Sequence, residues 1–205
     1  MNTKNKLVGF PQRSSARVVE HEKVEGAGRF GMLLFLLALT ILFAASLVGI
    51  IIVRFQVGTW RPEGFAGLPG GLWVSTLLIL GASASVHLSL LKARAGDNPG
   101  LVRALGVTFV IGLVFLMLQV LNWWQFVRDS EVVQGTLFGF SFYVLTGLHA
   151  LHVLGGLAQT GTMMVISRRG RYGPENHGPI EYGAMYWHFL DVVWLVLYAA
   201  LVVLL

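Results

Sequence analysis

Two pairs of side chains capable of metal binding or acid–base chemistry lie at helical spacing inside apolar stretches of the sequence. His149 and His152 are three positions apart, as are His188 and Asp191, so on a helix the members of each pair face the same neighbour. Histidine pairs bind metals and haem. A carboxylate in a bilayer costs about 2.5 to 3.5 kcal/mol unless it faces protein or water. The alternative interpretation is hydrogen bonding between helices in a packed bundle.

The aspartate belongs to a polar stripe on the last apolar stretch of the chain. Trp187, Asp191 and Trp194 occupy positions i, i+4 and i+7, which form one face of a helix. A metal bound by the histidine pair would need further ligands at the same depth, and only His188 and Asp191 are evident candidates. We therefore expect these side chains to be structural polar residues that face neighbouring helices.

Two further apolar stretches contain polar side chains at helical spacing. Ser83 and His87 are four positions apart, and we expect them to pack between helices, with a contact between His87 and a lipid phosphate as the alternative. Gln119 and Asn122 are three positions apart, which predicts one hydrogen bond between helices. The two tryptophans that follow directly are typical of an aromatic belt at the membrane surface.

The composition is that of an integral membrane protein. The 205 residues are 55% hydrophobic and 12% charged, and the mean hydropathy is +0.70, whereas soluble domains have about 25% charged residues. Each of five apolar stretches is long enough to cross about 30 Å of hydrocarbon as a helix. They are Phe30 to Val53, Leu72 to Leu91, Val102 to Trp124, Leu137 to Ile166 and Tyr182 to Leu205. The predicted fold is therefore an all-α bundle of five transmembrane helices.

The basic residues predict the orientation of this bundle. Twelve of the fifteen lie before the first stretch or around the second and fourth links, and the others are Arg54, Arg61 and Arg128. Basic loops stay in the cytoplasm, so we predict a cytoplasmic N-terminus and a periplasmic or external C-terminus. The predicted organisation is a polar cytoplasmic segment over residues 1–28 and the transmembrane domain over residues 29–205.

The residue types present exclude several kinds of site and partner. The absence of cysteine excludes disulfides, thiolate metal sites, iron–sulfur clusters and covalent c-type haem. No basic patch is interleaved with aromatic residues outside the apolar stretches, so nucleic acid is not an expected partner. The first residues contain no apolar core, and no cleavable signal peptide is expected. Asp191 is the single acidic residue inside the five stretches, which gives an ion-coupled transporter little support.

Two of these motifs resemble the signatures of subunit III of the haem–copper respiratory oxidases. They are TGLHALHVLGG (Thr146 to Gly156) and YWHFLDVVWLVLY (Tyr186 to Tyr198), in this order on the last two apolar stretches. Weaker similarity includes GMLLFL in the first stretch, His87 in the second and Gln119 in the third, so the resemblance covers about Phe30 to Leu205. The five stretches resemble the short bacterial form of the family.

The resemblance implies a subunit without a reaction centre of its own. It implies no haem, copper or other metal in this chain, and contact with the catalytic subunit I and with subunit II. It also implies bound phospholipid and support of turnover and proton uptake by a complex in the bacterial inner membrane. The structural polar residues are then His87, Gln119, His149, His152, Trp187, His188, Asp191 and Trp194. The residues expected to contact lipid are Trp60, His87, Arg94 and Arg103.

The sequence departs from the family pattern at two acidic positions. Ala38 and Leu39 stand where the first shared stretch usually has a Ser-Glu pair, and Asn122 stands where a glutamate usually follows Gln119. Replacing a buried carboxylate by an apolar residue of similar size is often neutral or stabilising, so we expect the bundle to tolerate these changes. A role for this chain in collecting protons is put in doubt.

Three other interpretations use the same residues. A membrane redox protein would bind its own haem through His87, His149, His152 or His188. An accessory subunit of a nitric-oxide-reducing system would share the family resemblance, and a small-molecule transporter would act alone. The motifs leave open whether the partner complex oxidises cytochrome c or quinol.

Overall fold

Five long helices make up the transmembrane domain. The computed structural model describes residues 13–58, 60, 63, 67–129 and 135–204. The helices are α1 (Arg13–Gln56), α2 (Gly71–Arg94), α3 (Asn98–Asp129), α4 (Leu137–Arg168) and α5 (Gly178–Leu204). Each is long and apolar enough to cross a membrane, which confirms the predicted all-α fold with five spans. In the described ranges no strand forms, and Gly173 and Asn176 make an isolated bridge.

Four of the helices form a closed ring, and the remaining one lies outside it. Helix α2 contacts α3, α3 contacts α4, α4 contacts α5, and α5 returns to α2, while α1 packs on α5 and less extensively on α4. The ring encloses the largest buried side chains, among them Phe115, Trp187 and Trp194. Helix α1 keeps a wide apolar face exposed, which includes Leu37 and Ile41. The core of the protein is therefore the centre of the four-helix ring.

Contacts at its two ends show that α1 runs parallel to α5. Near the start of the membrane-crossing part of α1 and of α5, Gly28 lies against the ring of Tyr182. Near their ends, Arg54 Nη1 donates to the carbonyl oxygen of Val203 at 3.4 Å. The common direction of α1 and α5 is what five alternating crossings require. The assignment of the N-terminal side to the cytoplasm stays a prediction.

Helix α1 begins much earlier than its apolar stretch. The stretch starts at Phe30, whereas the helix starts at Arg13 and has 44 residues, or roughly 66 Å at 1.5 Å per residue. Residues 13–28 of the predicted polar segment thus extend the first transmembrane helix. Hydropathy marks where a helix enters the membrane and gives no sign of a polar continuation outside it. Residues 1–12 lie outside the described part of the chain.

A tight, capped turn joins α2 to α3. Gly96 adopts a φ of +73°, a left-handed conformation that favours glycine after a helix. Asp97 Oδ1 accepts a hydrogen bond from the Gly100 amide at 2.9 Å, which caps the start of α3. The hydrogen bonds from Lys92 and from the Gly100 amide lower the pKa of the Asp97 carboxyl group. The ionised carboxylate therefore stabilises the turn, and this contribution is lost as the pH falls through the lowered pKa.

Two glycines allow α3 and α4 to approach the indole of Trp187. A Cβ atom added at Gly112 of α3 would lie 2.8 Å from Leu157 Cδ2 and 2.9 Å from Trp187 Cη2. One added at Gly156 of α4 would lie 3.3 Å from the Trp187 ring. The spacing of α3, α4 and α5 around this indole thus depends on the absence of a side chain at Gly112.

We expect Gly112→Ala to destabilise the protein by about 1–3 kcal/mol, the usual cost of overpacking a core. The matched control is Gly49→Ala on α1, where an added Cβ meets no atom within 4 Å and the higher helix propensity of alanine favours the folded state. Thermal unfolding of the purified protein in detergent, followed by circular dichroism, measures both variants. Equal transition temperatures would contradict tight packing at Gly112.

Candidate functional site

Threonine hydroxyls accept the indole N–H groups of three tryptophans inside the bundle. The pairs are Trp123 with Thr146 (2.9 Å), Trp187 with Thr160 (2.9 Å) and Trp194 with Thr76 (3.0 Å). Each threonine also donates to the carbonyl oxygen four residues earlier in its own helix, at 2.7 to 2.9 Å. Each hydroxyl therefore acts as donor and acceptor together, and the pairs join α3 to α4, α5 to α4 and α5 to α2.

Hydrogen bonds from side chains also join α2 to α3, the remaining contact of the ring. Asn122 Nδ2 donates to Ser75 Oγ at 3.3 Å, and Ser85 Oγ donates to the Ala104 carbonyl oxygen at 2.9 Å. The interhelical hydrogen bond expected from the Gln119 and Asn122 pair is thus made by Asn122. Gln119 is buried, and neither its Nε2 nor its Oε1 has a hydrogen-bond partner in the described part of the chain.

The two tryptophans expected in an aromatic belt have different surroundings. Trp124 is exposed, and the Arg128 guanidinium carbon lies 5.1 Å from its ring centroid, as a belt residue would. Trp123 is half-buried and bonded to Thr146 of α4, so it also links two helices, and its place in the belt stays a prediction. Adjacent residues on a helix face different directions, and only contact with a neighbouring helix decides which of the two is covered.

His149 is enclosed by aromatic rings. Its side chain is 0% exposed, and its ring centroid lies 4.9 Å from that of Trp194, 5.7 Å from Phe115 and 6.4 Å from Phe43. Neither ring nitrogen has a hydrogen-bond partner among the residues described. A haem bound at His149 would have to displace these rings. In the same part of the chain, no three His, Cys, Asp or Glu side chains gather into a group that could hold a metal ion.

His152 shares the neighbour Phe43 with His149 and bonds within its own helix. Its Nδ1 lies 2.7 Å from the Leu148 carbonyl oxygen, and its ring centroid lies 5.1 Å from that of Phe43 on α1. Tyr186 donates to the His152 carbonyl oxygen at 2.8 Å, which adds a link between α5 and α4. The link between helices expected at His152 is therefore made by its backbone, and its imidazole is bonded within α4.

Asp191 lies at the contact between α2 and α5, near Ser83 of α2. The aspartate is 5% exposed, and its Oδ1 has no partner among the described residues. Ser83 Oγ bonds to Nδ1 of His188, one turn before Asp191 on α5. The spacing of His188 and Asp191 predicts that they share one face of the helix, and the structure adds Ser83 on the facing helix.

His87 lies at the outer edge of this contact. Its ring centroid is 5.8 Å from that of His188 on α5, and its side chain is otherwise exposed, so it packs on one side only and the contact with a lipid phosphate stays an alternative prediction. Ser83, one turn earlier on α2, is buried. The edge of the buried face of α2 thus runs between Ser83 and His87. The spacing of the two residues in the sequence does not show where that edge lies.

The other residues expected to contact lipid lie near the ends of the helices. Arg94 Nη2 donates to Glu181 Oε2 at 3.4 Å, and Arg103 Nε donates to the Pro99 carbonyl oxygen at 3.3 Å. Both arginines are exposed. Trp60 is half-buried, and its ring meets that of Phe138 edge-on with centroids 6.1 Å apart.

A groove between α1 and α5 opens on the membrane-facing surface. Its volume is about 330 Å³. The side chains that line it include Phe43, Ala44 and Leu47 of α1 and Phe189, Val193 and Leu197 of α5. Its one polar lining residue, Thr40, donates its hydroxyl hydrogen to the Leu36 carbonyl oxygen at 2.8 Å. The groove therefore suits a hydrocarbon chain.

The two positions at which the resemblance implies a carboxylate lie inside the protein. Leu39 is 8% exposed and belongs to the apolar core, and Asn122 is 2% exposed. Ala38, beside Leu39, is exposed. Leu39 is thus held by apolar packing, and Asn122 by its hydrogen bond to Ser75.

The threonine partners of the tryptophans are the residues that sequence analysis missed. A threonine in a transmembrane helix can satisfy its hydroxyl by bonding to its own helix, so its presence does not indicate that it also binds an indole. The residue of each pair that does give a signal in the sequence is the tryptophan. An indole N–H buried in an apolar core requires an acceptor, and so each buried tryptophan predicts a polar side chain on a facing helix.

Comparison with known proteins relates most of the chain to one family. A profile described as cytochrome c oxidase subunit III matches residues 13–204. The protein named cytochrome c oxidase subunit 3 from Synechocystis sp. is 34% identical over 174 residues, which cover 82% of this chain and 72% of that protein. Proteins of the same name from Thermostichus vulcanus and Corynebacterium diphtheriae are each 29% identical. These matches cover 85% and 69% of this chain, and 86% and 69% of the respective relatives.

We expect Thr160→Val to destabilise the protein by about 1–3 kcal/mol, because it leaves the buried Trp187 indole N–H without an acceptor. Thr160→Ser keeps the hydroxyl and should retain most of the stability. Thr40→Val is the matched control, since the exposed Thr40 hydroxyl bonds only to its own helix. Thermal unfolding in detergent ranks the three variants, and a Thr160→Val transition equal to that of Thr40→Val would contradict the role of the pair.

Proposed function

Since the chain belongs to the cytochrome c oxidase subunit III family, we propose that it serves its oxidase complex as a structural, lipid-binding subunit without a reaction centre of its own. It is a multi-pass membrane protein. Its proposed place is the bacterial inner membrane, where it packs on the catalytic subunit I beside subunit II. Haem and copper would then be held by its partners.

The observation that supports this proposal is that polar side chains inside the membrane bond helices to one another. All four contacts of the helix ring contain hydrogen bonds between side chains. A redox centre needs convergent ligands around an open volume, whereas His149 is surrounded by aromatic rings and His152 is bonded within α4. These residues fit a rigid brace for a neighbouring subunit better than they fit a cofactor site.

Bound phospholipid is the second part of the proposal. The groove between α1 and α5 is lined almost entirely by hydrocarbon groups. The molecules that surround the protein at that depth of the membrane are lipid acyl chains. Arg94 and Arg103 are exposed near the membrane edge, where arginine binds phosphate well. A lipid held at both places would link the subunit to its surroundings without any further polar group in the membrane.

Support of proton uptake is proposed to be indirect. The two carboxylates of the family pattern are replaced by Leu39 and Asn122, which are buried and packed or bonded. Neither residue titrates, so neither can take up a proton. The subunit would therefore support turnover by holding subunit I and lipid in place.

We expect Asp191→Leu to weaken assembly with subunit I and to leave the haem spectrum of the assembled fraction unchanged. Leucine removes the buried polar group that faces α2 near Ser83, and a polar group left without a partner at such a contact costs about 1–3 kcal/mol. Asp191→Asn keeps an acceptor and should lie between the wild type and the leucine variant. Val192→Leu, at the adjacent exposed position, is the control.

The measurement is gentle detergent purification through a tag on this chain, with the recovered subunits identified by mass spectrometry and the haem by absorption. A shifted haem spectrum with unchanged recovery of subunit I would contradict the structural role. A stoichiometric Soret band that stays with this chain after its partners are removed would instead favour a haem-binding membrane protein.

We expect Ala44→Phe to reduce the phospholipid retained by the purified complex, because the larger side chain fills part of the α1–α5 groove. Ala45→Phe is the matched control. Ala45 is the next residue of α1, and its side chain is exposed and does not line the groove. Native mass spectrometry or lipid extraction gives the number of lipids per complex. Equal retention by the two variants would place the bound lipid elsewhere.

A further inference from the structure

Two imidazoles meet on the membrane-facing surface where α2 and α5 are in contact. His87 of α2 is exposed and His188 of α5 is half-buried, and their ring centroids lie 5.8 Å apart. Nδ1 of His188 is bonded to Ser83 Oγ, so Nε2 is the ring nitrogen that remains for another partner. The His87 imidazole makes no hydrogen bond to any residue in the described part of the chain. Two polar groups with unused hydrogen-bonding capacity thus lie side by side at this surface.

Exposed apolar side chains extend this surface along both helices. On α2 they share one helical stripe with His87, and on α5 they lie one and two turns after His188. They are Leu80, Ala84 and Leu91 of α2 and Val192 and Leu195 of α5. Toward the other membrane surface, the exposed Trp73 of α2 meets Tyr198 of α5, with ring centroids 5.2 Å apart. We call the two imidazoles and the exposed apolar side chains around them the α2–α5 surface.

The depth of His87 decides what can bond to it. The ion pair of Arg94 and Glu181, at 3.4 Å, marks the membrane edge on this side. His87 lies seven residues before Arg94 on α2, roughly 10 Å further in. Lipid phosphates lie at the level of the edge arginines, out of reach of a side chain as short as histidine, and acyl chains offer no hydrogen bond. An exposed imidazole at this depth therefore requires a protein partner.

Exposed threonines elsewhere in the membrane do not have this requirement. Thr40 of α1 and Thr162 of α4 each donate to a carbonyl oxygen of their own helix at 2.8 Å. Their faces are therefore compatible with lipid, whereas the α2–α5 surface keeps a polar group that lipid cannot satisfy.

We propose that the α2–α5 surface docks a transmembrane helix of a partner subunit, which presents a hydroxyl or amide side chain to His87. A neutral imidazole has one donor and one acceptor, and hydroxyl and amide groups complement both without a charge. The small side chain of Ala84, one turn before His87, lets the second helix come close, and the apolar side chains supply the packing. Because the partner is taken from the oxidase complex, this docking rests on the proposed function, to which it adds the surface and the chemistry of the contact.

The test is photo-crosslinking in the intact complex, purified through a tag on this chain. A benzophenone amino acid replaces Leu80 or Leu91 on the α2–α5 surface. The matched control position is Leu154, an exposed leucine of α4, which lies across the helix ring from α2. Mass spectrometry identifies what is bound after irradiation. We expect the first two positions to capture one transmembrane segment of a partner subunit, and the control position not to capture that segment.

We expect His87→Leu to lower the recovery of this partner subunit after a detergent wash by about fivefold or more, because the polar side chain of the partner loses its hydrogen bond. His87→Gln keeps a donor and an acceptor and should retain most of the recovery. Leu154→Ala changes an exposed residue outside the surface and should leave the recovery unchanged. Circular dichroism of each variant separates a loss of docking from a loss of folding.

Two results would overturn the docking alone. One is normal recovery of the oxidase subunits with only lipid captured at Leu80 and Leu91, since lipid would then occupy the surface. The other is equal recovery of the partner by His87→Leu and the wild type, since His87 would then bond to no partner. Wild-type protein that is purified without any oxidase subunit would instead overturn the proposed function, and the docking with it.

Discussion

A polar N–H or O–H group buried in a bilayer has no water to bond to, so a transmembrane bundle must supply every partner from its own side chains and backbone. Leaving such a group unpaired costs several kcal/mol. Three tryptophans of this protein meet the requirement through threonines on facing helices. Each threonine is held in turn by its own helix, so both hydrogen-bonding functions of the hydroxyl are used.

This constraint explains why the ring and α1 are held in different ways. The four contacts of the ring are each joined by side-chain hydrogen bonds, and they enclose the largest side chains. Within the membrane, the polar side chains of α1 bond to their own helix: Thr40 to Leu36 and Ser46 to Leu42. Helix α1 is therefore attached mainly by apolar packing on α5, and the groove along that contact is open to lipid.

At the two positions where the resemblance implies an acid, the chain uses uncharged contacts. Asn122 is a neutral amide that bonds to Ser75 on α2, so the contact between α2 and α3 is joined there without a charge. Leu39 is a buried apolar side chain. Asp191 is then the acidic residue inside the five spans, and it lies at the contact between α2 and α5, where Ser83 bonds to His188.

The sequence by itself determined the five crossings, the family and the burial of the stripe that contains Trp187, Asp191 and Trp194. Hydropathy and helical spacing are properties of a single helix, and they can be read from consecutive residues. The tertiary structure alone decided the partners: Ser83 of α2 bonds to His188 of α5, and His87 is exposed although Ser83, one turn earlier, is buried. Partners depend on how two helices are rotated and aligned against each other. That alignment follows from the packing of all the side chains between them, which no local pattern of residues contains.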